Sequence, residues 1–196
     1  MAIIQKIIAI ISKIIAIIYF GIFLIMPSSC KKEDDIISRR YPCRFQFYAD
    51  QHPTSIIVTA CKSPGSYVYI YTEIDSKGIR HVYAQSNDSK VPTEDNIIVT
   101  DKEVSYTAYL LGANNAIGLI VGCSNFNGLV AYDRTCPNCT GMRSLAWSEE
   151  NRQHVVCHSC KRTYDLETGA LVDGDDGDAL LRYGCSFNGT VLSVGN

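Results

Sequence analysis

The chain predicts an all-β fold, on three observations. From Tyr41 onward its apolar residues come in short runs with a period of two, bounded by Gly, Pro, Asn, Asp and Ser. No stretch sustains a 3.6-residue period for three turns. Asn127-Gly128 and Asn188-Gly189, each flanked by apolar runs, carry the residues that a two-residue hairpin turn requires.

Ahead of this body lies a leader of another kind. Residues 1–29 hold Lys6 and Lys13, then an apolar run from Ile14 to Met26, then Pro27-Ser28-Ser29 before Cys30. The arrangement looks like a bacterial lipoprotein signal, in which cleavage leaves Cys30 as the lipidated N-terminus. Several acyl chains on one residue hold a protein to a bilayer far more firmly than one. Pro27 departs from that pattern, which has an aliphatic residue three places before the cysteine, and an uncleaved transmembrane anchor is the alternative. Residues 30–40, opening Cys30-Lys31-Lys32-Glu33-Asp34-Asp35, read as a charged tether. The run resembles export tags of surface lipoproteins in Bacteroidetes-like bacteria, so the implied location is the bacterial envelope, at the outer membrane and facing outward.

The first strands of the body are expected at Cys43–Ala49, Ser55–Ala60, Ser66–Ile74, Ile79–Ala84, Ile97–Thr100 and Val104–Leu111. Asp75-Ser76-Lys77-Gly78 is the hairpin loop between the third and fourth. Tyr67, Tyr69 and Tyr71 fall on one face of their strand and read as packing or half-exposed sheet surface rather than a ligand platform. Gly118–Val121 and Leu129–Asp133 follow, and then Ser144–Trp147, Gln153–Val156 and Arg162–Leu166. Leu180–Phe187 and Thr190–Val194 close the body. The 167 residues beyond the leader suffice for one domain, 41–196, with a real core.

Charge excludes one class of partner. With Lys6 and Lys13 removed, 16 basic residues face 20 acidic ones, a net −4. Nucleic-acid binding needs a concentrated basic face, which is absent. No Ser/His/Asp set and no phosphate-cradling glycine loop stands out, so catalysis is not expected. His52 and His81 are isolated from other metal-type ligands and receive no role. Cys43, Cys61, Cys123 and Cys185 lie in apolar contexts and read as small buried hydrophobes, with one or two disulfides as the alternative.

The remaining four cysteines carry the chemistry. Cys136 and Cys139 form one Cys-x-x-Cys pair and Cys157 and Cys160 another, with 17 residues between. Two thiolates across a tight turn can both point at one ion at about 2.3 Å, so the spacing predicts a four-cysteine metal site inside a subdomain of about 134–173. Local disulfides or thiol-redox chemistry are the rivals, but no helix follows either pair as thioredoxin-type chemistry needs. Zinc is the expected metal, with a single iron or a [2Fe–2S] cluster using the same residues as the alternative. The iron forms imply electron transfer and a redox protein partner. The acidic run 173–178 lacks the later bidentate glutamate of a calcium loop and reads as a solvated turn.

The segments YDRTCPNC, VVCHSCKRTYDLETGALVDG and LLRYGCSFNGTVLSV, in that order and spacing, resemble the Rieske iron–sulfur domain, especially Rieske-fold lipoproteins of gut Bacteroidetes. The resemblance implies a β-sandwich or barrel carrying a small two-loop cluster subdomain. It places Cys136 and Cys157 at the family's cysteine ligands and Asn138 and Cys160 at its histidine ligands. Both histidines are therefore missing, and with them the imidazoles that raise a Rieske centre's potential. Cys139 is the evident replacement in the first loop. His158 is out of ligand register, and His154 reads as structural.

Overall fold

The computed structural model describes residues 37–88, 93–99 and 109–196. The expected leader, the expected lipidation site Cys30 and the expected tether as far as residue 36 lie outside these, as do Thr100 and residues 104–108 of two expected strands. Among the described residues the strands are β1 (Cys43–Tyr48), β2 (Ser66–Ile74), β3 (Arg80–Ser86), β4 (Glu94–Ile98), β5 (Leu110–Leu111), β6 (Leu119–Cys123) and β7 (Leu129–Asp133). After them come β8 (Ala146–Trp147), β9 (His154–Val156), β10 (Thr163–Asp165), β11 (Leu171–Asp173), β12 (Arg182–Phe187) and β13 (Val191–Gly195). They form two antiparallel sheets, so the fold is all-β. The larger runs β4-β3-β2-β6-β7-β12-β13-β1-β5 and the smaller β11-β10-β9-β8.

Period two explains how these layers stack. Along β2, Val68 and Ile70 join one core with Phe45 and Phe47 of β1, Leu192 and Val194 of β13, and Leu119 and Val121 of β6. The alternate residues, Tyr67 and Tyr69, join a second core with Ile120, Val130, Tyr132, Leu145, Val155 and Tyr164. Strands β2, β6 and β7 are thus buried on both faces, between the other half of their own sheet and the small sheet. The two halves of the large sheet connect through β12, whose Arg182 and Tyr183 pair with β7 while Gly184–Phe187 pair with β13.

One expected strand is a helix. Residues 55–60 read as β because Ile56, Ile57, Val58 and Thr59 are β-branched. The chain instead forms α1 (Ile56–Lys62), capped by Ser55, whose Oγ accepts the Ile57 N–H at 3.1 Å. Asp95 of β4 secures the cap by accepting the Ser55 hydroxyl at 2.6 Å and the Ile56 N–H at 2.8 Å. Tertiary contact overrides propensity here: Ile57, Val58, Ala60 and Cys61 are buried, a one-face helical spacing that a capping serine announces.

The hairpin turns lie where the sequence puts them. Gly78, Gly128 and Gly189 all have positive φ, of 80°, 70° and 92°. Gly118 is required twice over, since its φ is 83° and any Cβ there would collide with the Ile70 carbonyl of β2. Residues 112–115 form a tight turn, in which Asn115 Oδ1 accepts the Leu111 N–H and Asn115 Nδ2 donates to the Tyr109 carbonyl, both at 2.9 Å. The eight described cysteines are free thiols, so Cys43, Cys61, Cys123 and Cys185 form no disulfide; Cys43 and Cys61 are buried.

Candidate metal centre

Two loops of the small sheet carry the four cysteines. The first leaves β7 and is closed by a bridge between Thr135 and Ser144, with the Cys136 N–H donating to the Arg143 carbonyl at 2.7 Å. Gly141 and Met142, with φ of 83° and 35°, turn its far side. The second is the loop of the β9–β10 hairpin, below the Val156–Thr163 pair. There the Cys157 N–H donates to the Arg162 carbonyl at 2.9 Å and the Lys161 N–H returns to the Cys157 carbonyl at 2.8 Å. Lys161 takes the left-handed region with φ 62°, a position suited to glycine.

These loops bring all four predicted ligands together. The Sγ atoms of Cys136, Cys139, Cys157 and Cys160 lie within 4.8 Å of one another. Across the loops Cys136 and Cys160 are 3.7 Å apart, and Cys139 and Cys157 3.6 Å. Sulfurs placed tetrahedrally at about 2.3 Å from one ion are separated by about 3.8 Å, so the residues fit a metal ion. Among the described residues this is the one grouping of His, Cys, Asp or Glu able to hold one. His158 is exposed and outside it, and His154 bonds to Asn151 at 3.1 Å through Nε2.

The surroundings decide how readily each thiol ionises. Burial pushes Cys136 up, outweighing the Tyr164 hydroxyl and the Asn138 N–H, which favour its thiolate. Burial, then the other three sulfurs, push Cys139 up to about 12. At Cys160 burial acts in the same direction but is outweighed by the N–H and side chain of Arg162, which bring it down to about 6. Four crowded thiols cannot all ionise without a cation to hold them, so loading the site releases protons.

The subdomain is fastened to the large sheet by aromatic and polar contacts. Trp147 of β8 stacks on Tyr69 of β2 with centroids 3.6 Å apart and planes 3° from parallel. The Arg134 guanidinium lies 3.8 Å from the same centroid; two groups so close to one ring must occupy opposite faces. Arg134 is also held by the carbonyls of Leu145 at 3.2 Å and Ile117 at 3.4 Å. Of the tyrosine stripe, Tyr67 and Tyr69 are buried against the small sheet, while Tyr71 is half-buried and stacks on Tyr83 of β3. Glu167 closes the other end, taking the N–H groups of Asn125, Phe126 and Asn127 at 2.7–3.0 Å. Buried Asp133 anchors the start of the first loop, accepting from Thr135 N–H at 2.7 Å, Ala113 N–H at 2.8 Å and Tyr183 hydroxyl at 2.9 Å.

The four candidate ligands are legible in the sequence; the residues that support them are not. Asn138, Arg162 and Tyr164 carry no motif of their own; proximity to the cysteines was the available signal. No protein-family model, no curated protein and no solved structure matches this chain.

Proposed function

We propose that the four cysteines hold one tetrahedral ion, structural zinc, in a Rieske-related, non-catalytic domain tethered to a bacterial envelope through lipidated Cys30. The observation that carries the metal is the mutual approach of the four sulfurs. Four thiolates leave no position for a substrate, and zinc suits such a closed site. A bridged pair of irons spreads its thiolates wider than the 4.8 Å found here, which favours a single ion over a [2Fe–2S] cluster. What supports the Rieske relationship is the order and spacing of the two cysteine loops and the return strands; what supports the anchor is the leader ending at Cys30.

A second reading is an electron carrier with one iron at the same cysteines. It is favoured by the partial exposure of Cys139 and Cys160, which puts one edge of the site near solvent and a redox partner. Elemental analysis with a visible spectrum separates the two. Zinc at one per chain and no visible absorption is expected; stoichiometric iron with colour transfers the assignment to the carrier. Cys157→Ser is expected to loosen residues 136–160 in hydrogen exchange while the large sheet stays protected. Unchanged exchange in both loops would remove the metal from the account.

A further inference from the structure

The run Asp173-Gly174-Asp175-Asp176-Gly177-Asp178 looks like a bare solvated turn, yet both cysteine loops grip its backbone. From the first loop, Asn138 Nδ2 donates to the Asp178 carbonyl and Asn138 Oδ1 accepts the Asp178 N–H, each at 2.8 Å. The same Nδ2 donates at 2.8 Å to the Tyr164 hydroxyl, which lies 3.5 Å from Cys136 Sγ. From the second loop, Arg162 donates through Nε to the Asp175 carbonyl at 2.9 Å and through Nη2 to the Asp176 carbonyl at 3.0 Å.

Its glycines sit at the two points of grip. A Cβ on Gly177 would come within 2.5 Å of Asn138 Oδ1, and one on Gly174 within 3.0 Å of Arg162 Cγ. The spacing of the glycines therefore follows the spacing of the two loops. Arg162 binds carbonyls rather than carboxylates, so the four aspartate side chains remain exposed beside a site of four thiolates. The Arg162 guanidinium offsets part of this negative charge, lying against both Cys160 and Asp175, and the hydrogen bonds to Asn138 and Arg162 hold the run in place.

We infer that residues 173–178 form a strap coupled to the metal, closing over both loops only while one ion holds them together and slowing that ion's loss. This rests on the four-thiolate reading. The coupling is geometric: the strap satisfies both anchors at once only when their separation is fixed, and the shared ion is what fixes it. An apo protein keeps each anchor but loses their common frame, so the strap opens.

Gly177→Ala tests this by crowding the Asn138 anchor from the run's side while every cysteine, Asn138 and Arg162 keep their identity, and the position has no left-handed φ to forbid alanine. The protein carrying its own metal is compared with the variant and with chelator-stripped wild type. The readouts are metal content, hydrogen exchange across 173–178 and the rate of metal transfer to a colorimetric chelator. Expected are equal metal content, faster exchange of the Asp178 amide in both the variant and the stripped protein, and metal transfer from the variant faster by about tenfold, the scale of losing two neutral hydrogen bonds. A strap equally protected with and without metal overturns the coupling. So does a variant whose strap exchanges freely while metal leaves at the wild-type rate. Wild type with no bound metal overturns the four-thiolate reading and the strap with it, and shows directly in the metal content.

Discussion

Replacing Tyr69 tests the junction between the two sheets, because the side chain touches both. It is 1% exposed, with Trp147 of the small sheet on one face and Arg134 on the other. Truncating a buried aromatic to alanine costs about 3–5 kcal/mol. Losing the cation–π contact to the half-buried Arg134 adds about 1 kcal/mol. Tyr69→Ala is therefore expected to remove about 4–6 kcal/mol, a large part of the 5–15 kcal/mol typical of a domain. Tyr69→Phe reverses the sign. The Tyr69 hydroxyl is buried and makes no hydrogen bond of good geometry, its one polar neighbour being the Arg134 guanidinium, which lies chiefly over the ring. Removing it is expected to stabilise by about 1 kcal/mol, or roughly 2–4 °C in Tm for a chain of this size. Urea unfolding is the assay, followed by circular dichroism and by the fluorescence of Trp147, the sole tryptophan, which reports the junction itself. If Phe destabilises as much as Ala, the hydroxyl has a partner and the ring is not the contact that matters.

Two further outcomes follow from the loops. Lys161 holds a left-handed backbone at φ 62°, which costs a non-glycine residue about 1–3 kcal/mol, so Lys161→Gly should raise the denaturation midpoint, net of glycine's entropy cost of about 0.5–1 kcal/mol. A lowered midpoint would mean that the lysine side chain contributes more than its backbone strain. Glu167 is held below its ordinary value because, although burial acts the other way, the N–H groups of Asn125 and Phe126 favour its carboxylate. A depressed carboxyl contributes stability above its unfolded value, and that contribution disappears as pH falls through the folded one. Wild type should accordingly lose more stability than Glu167→Gln on acidification from the unfolded value of 4.5 downward. Parallel pH profiles of midpoint would show that the carboxylate is not bound to the 125–127 loop.

Legibility from sequence followed the range of the interactions. The hairpins at Asp75–Gly78, Asn127-Gly128 and Asn188-Gly189 were readable because turn geometry is a local matter of glycine φ and Asp or Asn side chains. The four cysteines were readable because a two-residue spacer constrains the thiolates within one turn. Helix α1 was misread because its β-branched residues point one way and Asp95, forty residues distant, decides the other. Strand β11 went unpredicted, since only its pairing with β10 marks three residues ending in an acidic run.

By itself, then, the sequence determined the all-β class, the turns and the two cysteine pairs that make up the candidate site, all of which rest on residues close in the chain. Tertiary structure decided the rest: that Tyr67 and Tyr69 face the small sheet, that Asn138 and Arg162 hydrogen-bond the backbone of the acidic run, and that the sulfurs converge within 4.8 Å. Each of these joins groups brought together only when the sheets stack, and no local pattern encodes a partner that distant in the chain.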